Sequence, residues 1–286
     1  MIAATHQEHA ALSLRRLCTL FGVGRTWYYT HPSAETVAAR DTALRHAVER
    51  TVLDFPGYGY RRVTAALRRD GWAVNHKRVL RVLREQALLC QLKRRFVPTT
   101  DSRHGHRRYP NLVKDLCITR LDQVWVADIT YIRLPEAFVY LAAILDAYSR
   151  RCIGWHVSRF IDTDLALAAL DHALAARRPP PGLIHHSDQG VQYASGAYVA
   201  RLEAAGVRSS MAAVGNPYEN AQAESFFKTL KREEVYLNDY RDFAEAQDRL
   251  AHFIDDVYNT KRLHSSLGYR PPAEFEARCA LSTVGD

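Results

Sequence analysis

Three acidic residues are placed where chemistry could be done. Asp128 lies inside "VWVADITYI", Asp188 closes "LIHHSD", and Glu224 lies in "AQAESFFKTLKREEV". Asp128 is flanked by Val, Trp, Ile, Thr and Tyr, residues that favour strands. With a period of two, Val124, Val126, Asp128, Thr130 and Ile132 share one face of that strand, and Trp125, Ala127, Ile129 and Tyr131 the other. An ionised carboxylate buried there without a cation, a donor or water is expensive. Asp188 ends a short apolar run just before "QGVQY". Carboxylates at strand ends in layered α/β arrangements can meet across adjacent strands. Glu224, Lys228 and Lys231 stand at i, i+4 and i+7, hence on one helix face. Two aspartates and a glutamate beside cations suit an oxygen-ligand cage for Mg²⁺ or Mn²⁺. Each also has an ordinary reading: a strand aspartate in a turn or salt bridge, a helix glutamate in a surface ion pair.

The elements that would position these residues begin near 121. Apolar, β-rich runs at 123–134, 138–149 and 151–160 are separated by short turns, which predicts an antiparallel meander. A helix over 163–178 follows, capped by Asp162 or Thr163 and ended by "PPPG". A buried strand at 183–188, a helix over 195–206, a fifth strand at "VRSSMA", a helix over 221–235 and a last long helix over 241–259 complete the order β-β-β-α-β-α-β-α. Asn220 is expected to cap the Glu224 helix. Asp146 reads as a strand-end residue, and His185 and His186 as residues that orient Asp188 or touch DNA.

Upstream, "LSLRRLCTLFGVGRTWYY" (12–29) has helix-turn-helix spacing around Gly22-Val23-Gly24. A second helical pair occupies 58–89, with Asn75 as an N-cap and Lys77, Arg78, Arg81 and Arg84 facing outward. Such a basic helix could lie along a phosphate backbone or simply be solvated. Residues 93–110 are basic, aperiodic and broken by Pro98 and Gly105, as in a linker. The expected organisation is helical 1–55, a second helical segment 56–92, a basic linker 93–120, an α/β catalytic domain 121–275 and a tail 276–286.

Charge divides the same way. The net charge is +8, but residues 1–120 hold 22 Lys+Arg against 9 Asp+Glu, and residues 121–286 hold 17 against 22. A basic front half joined to a mildly acidic back half points to a polyanion-binding region attached to something else. Five scattered cysteines without a C-x-x-C pair argue against disulfides and against structural zinc, although "HHSD" and "RHGHRR" group histidines. No apolar run nears the roughly 18 residues of a membrane span. The opening "MIAATHQEHAALSL" is unlike a signal peptide. A cytoplasmic, nucleoid-associated protein is expected.

The motifs "WVADITYI", "HSDQGVQY", "NPYENAQAESFFKTLKRE" and "YNTKRLHSSLGYRPPAEF" resemble the transposases of the bacterial insertion sequence 3 family, the product of their second reading frame. More distantly the chain is similar to retroviral integrases, without their upstream zinc-binding His/Cys module. "YGYRRVTAALRRDGWAVNHKRVLRVLRE" looks like the family's upstream helical segment, so the resemblance spans almost the whole chain. Its most specific parts are the 35 residues between Asp188 and Glu224 and the lysine, Lys231, seven beyond the glutamate. The resemblance implies an RNase H-like fold and a DDE site of Asp128, Asp188 and Glu224 holding two divalent ions. Asp128 would bridge both ions, with Asp188 and Glu224 each on one. It implies metal-dependent cleavage and joining of double-stranded DNA at element ends, in a dimer or larger assembly, and often as a fusion with an upstream reading-frame product. Expected DNA contacts are Lys228, Lys231, Arg61, Arg62, Lys77, Arg78, Arg81, Arg262 and His264. A nuclease that cuts without joining and a catalytically silent DNA-binding regulator are the competing readings; the presence of all three acids disfavours the second.

Overall fold

The alternation through "VWVADITYI" becomes a ten-residue strand, β1 (Val124–Arg133), at the centre of a five-stranded sheet. The computed structural model describes residues 5, 12–26, 34–90, 108–213 and 220–283. Most of the expected linker (91–107) and the loop at 214–219 therefore lie outside the described residues. The chain forms two compact units, Met1–Asp54 with Val63–Leu89, and Phe55–Arg62 with Cys90–Asp286.

The first unit is helical: α1 (Leu14–Leu20), α2 (Ala34–Asp54), most of α3 (Tyr60–Arg69) and α4 (His76–Glu85). Its buried side chains include Leu44 and Val48 of α2, Val63 and Leu67 of α3, and Val79, Val82 and Leu83 of α4. Asn75 caps α4 as expected, accepting the Lys77 N–H at 2.9 Å. The expected division at 55/56 is not where the units part. Phe55–Arg62 belongs with the second unit, so the boundary falls inside α3.

In the second unit β1 pairs antiparallel with β2 (Phe138–Asp146), and β2 with β3 (Cys152–Ser158), giving the expected meander. Helix α5 (Thr163–Arg177) starts at Asp162, whose carboxylate accepts the Leu165 N–H at 2.9 Å. The chain crosses to β4 (Ile184–Ser187), parallel to β1 on its other side, then runs through α6 (Gly196–Ala204) to β5 (Arg208–Met211). The sheet order is β3-β2-β1-β4-β5.

Both faces of the sheet are covered, following the parity of β1. Trp125, Ala127 and Ile129 pack with Leu165, Ala169 and Leu170 of α5 and with Tyr198 and Leu202 of α6. Val124, Val126 and Ile132 pack on the other face with Ala223, Phe226, Phe227 and Leu230 of α7 (Ala221–Glu233) and Leu250 of α8 (Phe243–His252). Burying two apolar faces is the dominant favourable term for such a layer. Asp128 has the parity of the α7 face.

The expected last helix over 241–259 keeps its regular form only to His252 and continues as a π-helical turn, Phe253–Tyr258. Buried Asn259 follows, its side chain accepting the Cys152 N–H at 3.0 Å and donating to the Cys152 carbonyl at 2.9 Å. A further helix not expected from the sequence, α9, spans Pro272–Thr283. The tail expected from 276 begins inside this helix: Glu276 is buried and takes hydrogen bonds from Ser149 at 2.6 Å, from Arg151 at 2.7 Å and from Arg177.

Candidate active site

Parallel pairing brings the two aspartates together. In the β1–β4 register Val124 faces Ile184, Trp125 faces His185 and Val126 faces His186. Two residues further along each strand are Asp128 and, just past the end of β4, Asp188. Neighbouring strands lie about 4.8 Å apart, and paired residues of parallel strands project to the same face. Local donors hold one oxygen of each: Asp128 Oδ1 accepts the Ile129 N–H at 2.8 Å, and Asp188 Oδ1 accepts the Gly190 N–H at 2.9 Å. A Cβ at Gly190 would stand 2.9 Å from Asp188 Oδ1 and would displace that carboxylate.

The electrostatics record the crowding. Burial raises the Asp128 carboxyl well above the usual range, and the Asp188 and Glu224 charges push it the same way against the Ile129 N–H and Lys231. Glu224, exposed in the first turn of α7, is raised by desolvation and lowered by Lys228. Lys231, half-buried, holds its Nζ 4.5 Å from the centre of the Tyr131 ring; burial lowers its pKa, and Asp128 raises it. The three acids and Lys231 thus share one electrostatic neighbourhood. Among the described residues, however, no three His, Cys, Asp or Glu side chains converge into a closed metal cage. Asp128 and Asp188 are the close pair, and Glu224 stands at its margin.

Several sequence expectations require correction. His185 and His186 are not open to DNA: both are buried, with His185 Nε2 2.9 Å from Tyr198 Oη and His186 Nδ1 2.8 Å from Ser210 Oγ. Burial, then the neighbouring His186, drops the His185 pKa to about 3. Asn220 occupies the N-cap position of α7 without a capping hydrogen bond, and its Nδ2 donates instead to the Ala127 carbonyl at 3.1 Å. Arg262, expected at DNA, has a side chain only 3% exposed, bound through two nitrogens to Glu233 at 2.7 Å each. His264 is likewise buried, edge-on to Tyr258, and its pKa falls to about 3 through burial and then the nearby Arg262, Arg62 and Arg150. A buried guanidinium committed to a carboxylate and a buried neutral imidazole are internal supports, and neither is offered to a ligand.

Other expectations find surfaces. Arg61, Lys77 and Arg81 are exposed, as is Lys228, while Arg62 and Arg78 are half-buried. Asp146 closes β2 as expected, its carboxylate accepting N–H groups from Asp122 (2.7 Å), Tyr148 (2.9 Å) and Ser149 (2.8 Å). Tyr193 of "HSDQGVQY" carried no expected role. It lies within electrostatic reach of Asp128 and Asp188, and its buried hydroxyl has no hydrogen-bond partner among the described residues. The only sequence signal was its place in that motif.

Residues 119–217 and 205–272 match the family described as integrase core domain, and residues 39–96 match the HTH-like domain. The chain is 34% identical over 276 residues to the transposase InsF of insertion sequence IS3A from Escherichia coli (strain K12), covering 94% of this chain and 96% of that one. The chain belongs to the insertion sequence 3 family of transposases. The transposase of IS904 from Lactococcus lactis is 38% identical over 220 residues, covering 77% and 87% of the two chains. An insertion element IS600 protein of Shigella sonnei is 36% identical, covering 92% and 98%. Among solved structures, the catalytic core domain of BIV integrase overlays with a TM-score of 0.42 at 16% identity, covering 57% of this chain and 99% of that one. A simian T-cell lymphotropic virus intasome chain overlays at 0.44 with 17% identity, covering 80% and 73%.

This transposase is accordingly an enzyme of DNA cleavage and strand transfer, an integrase-type α/β catalytic domain preceded by helices. The HTH-like match spans 39–96, later in the chain than the helix-turn-helix read at 12–29. No helix among the described residues is long and apolar enough to cross a membrane.

Proposed function

We propose that Asp128, Asp188 and Glu224 are the catalytic carboxylates of a DDE site that cuts and joins double-stranded DNA at the ends of the element, with two Mg²⁺ or Mn²⁺ ions. The observation that carries this reading is the β1–β4 register, which sets Asp128 level with Asp188 on the face covered by α7. A pair of carboxylates held this close has the donor chemistry of a hard-cation site. When bound, the ions activate the attacking oxygen and stabilise the leaving oxygen of an in-line displacement.

Asp128, whose carboxyl feels the charge of both Asp188 and Glu224, would hold the metal together with them. Asp188 keeps one oxygen on the Gly190 N–H. Glu224, at the start of α7, moves in from the margin to complete the set. Lys228 and Lys231 face the DNA phosphate beside the acids. With water as the nucleophile, a phosphodiester bond breaks and a 3′-hydroxyl is left. With that hydroxyl as the nucleophile, its oxygen bonds to the target phosphorus and the target's own 3′-oxygen departs. One phosphodiester replaces another, so no nucleotide energy source enters.

Lys77, Arg78 and Arg81 on α4, with Arg61, track the DNA backbone. The active assembly is a dimer or larger, with or without a fused upstream reading-frame product, acting at the nucleoid in the cytoplasm.

The test replaces Asp128, Asp188 and Glu224 singly with alanine. Each variant is expected to lose Mg²⁺-dependent cleavage and joining, lose any rise in melting temperature on adding Mg²⁺, and keep DNA affinity. A variant that cuts at the wild-type rate removes its residue from the site.

A further inference from the structure

The connection from β4 to α6, "DQGVQYAS" (188–195), folds tightly around the Asp188 carboxylate. Asp188 Oδ1 accepts the Gly190 N–H at 2.9 Å. The Gly190 carbonyl in turn accepts the N–H groups of Tyr193 at 3.1 Å and Ala194 at 3.2 Å. One turn therefore fixes both the acid and the tyrosine. The position of a Cβ on Gly190 is 2.9 Å from Asp188 Oδ1 and 3.5 Å from Tyr193 Cδ2, so carboxylate and ring flank the same glycine.

Tyr193 is 4% exposed and packs among the side chains of α5 and α6. Its ring centre lies 5.4 Å from that of Tyr198 and 6.1 Å from that of His185. Those two neighbours are paired with each other, Tyr198 Oη standing 2.9 Å from His185 Nε2. The Tyr193 hydroxyl is buried and has no hydrogen-bond partner among the described residues. An unpaired buried hydroxyl costs free energy that phenylalanine, filling the same space, would not. Burial, then Tyr198, Asp128 and Asp188, keeps the phenol protonated well beyond its usual range. It is therefore a donor beside two acids, not a phenolate ligand.

We propose that Tyr193 is a positioning residue of the acid site, whose hydroxyl donates a hydrogen bond into the Asp128–Asp188 carboxylate pair once a divalent ion is bound there. Without the ion, burial and then the Asp188 charge favour the protonated Asp128 carboxyl, a poorer acceptor than a carboxylate. With the ion both groups are anionic, and a hydrogen bond to a charged acceptor is about twice as strong as a neutral one. The hydroxyl thus costs stability in the empty site and returns it in the loaded one, where it orients the carboxylate oxygens. The inference rests on the DDE reading and adds to it a donor that does not itself touch the ion.

The experiment uses the full chain without DNA and compares wild type, Tyr193→Phe, Tyr198→Phe and Asp128→Ala. Mn²⁺ affinity is read from the electron paramagnetic resonance of the free ion, and melting temperature is read in chelator. Tyr193→Phe removes one oxygen, so it is expected to melt at or above wild type without metal. Its Mn²⁺ affinity is expected to fall about tenfold, as on losing the partner of a metal ligand. Half-maximal cleavage should need correspondingly more Mn²⁺, with the rate recovering at saturation. Tyr198→Phe breaks the pair with His185, and is expected to melt lower and bind Mn²⁺ like wild type.

Unchanged Mn²⁺ affinity in Tyr193→Phe overturns the proposal. So does a clear fall in its metal-free melting temperature, because the hydroxyl would then already be paired within the fold. An equal loss of affinity in Tyr198→Phe also overturns it, since general loosening of the connection would then suffice. Failure of the DDE reading is distinguishable. Asp128→Ala with wild-type Mn²⁺ affinity sinks the catalytic assignment, whereas normal affinity in Tyr193→Phe beside lost binding in Asp128→Ala sinks only the role of Tyr193.

Discussion

Asp128→Asn should make the metal-free transposase more stable while destroying its activity. Register and strand spacing put the Asp128 and Asp188 backbones about 5 Å apart. Two unit charges at about 5 Å repel by about 1 kcal/mol in water and about 3 kcal/mol near a protein surface. Lys231 and the Ile129 N–H oppose this, yet the Asp128 carboxyl is still held well above its usual range, so desolvation and repulsion outweigh them. Removing the charge should return roughly 1–3 kcal/mol, or about 2–10 °C in melting temperature for a unit of this size.

The pH dependence has a definite sign. Because the native state binds the proton more tightly than the unfolded chain, wild-type stability falls as pH rises from the ordinary carboxylate range to the raised Asp128 value. The Asn variant should lack that fall. Calorimetric melts with chelator, repeated with Mg²⁺, test both points: Mg²⁺ should raise the wild-type midpoint and leave the variant's in place. A variant that melts lower than wild type without metal, or that Mg²⁺ stabilises equally, would refute the reasoning.

Lys231→Ala should depress strand transfer far more than it lowers the melting temperature, because its ammonium faces a π ring and Asp128; a strand-transfer assay beside a melt separates the two effects. Glu276→Gln should destabilise the fold by about 3 kcal/mol, since it takes the carboxylate at a buried position from the largely covered Arg177 guanidinium, as denaturant titration would read. Desolvation raises the Glu276 pKa, but hydrogen bonds from Arg177 and Ser149 win and hold it low. The stabilisation is thus present above the ordinary carboxylate value and lost as pH falls through the depressed one. A 1–120 fragment should bind DNA with a steep salt dependence and a 121–286 fragment weakly; the latter, without Tyr58 on Leu263, should also melt below the full chain.

The difference between what the sequence disclosed and what it hid follows the range of the interactions. β1 was legible because its β-branched and aromatic residues alternate within ten positions, and one parity carries Asp128 to the α7 face. The α7 stripe of Glu224, Lys228 and Lys231 was legible for the same local reason. What failed was the judgement of whether His185, His186, Arg262 and His264 meet water. His185 and His186 sit on β4, a four-residue strand enclosed between β1 and β5, where no alternation can distinguish a covered face from an open one. Their partners, Tyr198 and Ser210, come from later elements. Arg262 and His264 looked like DNA contacts in a basic, polar stretch, but Glu233 and the docked Tyr58 segment enclose them from 29 and about 200 residues away. The same closure that withdraws Arg262 from solvent occupies both oxygens of Glu233. Arg62 and Arg262 were both assigned to DNA from sequence, and only the tertiary pairing separates them: Arg262 is buried on Glu233, whereas Arg62 is half-buried beside the Tyr58 ring.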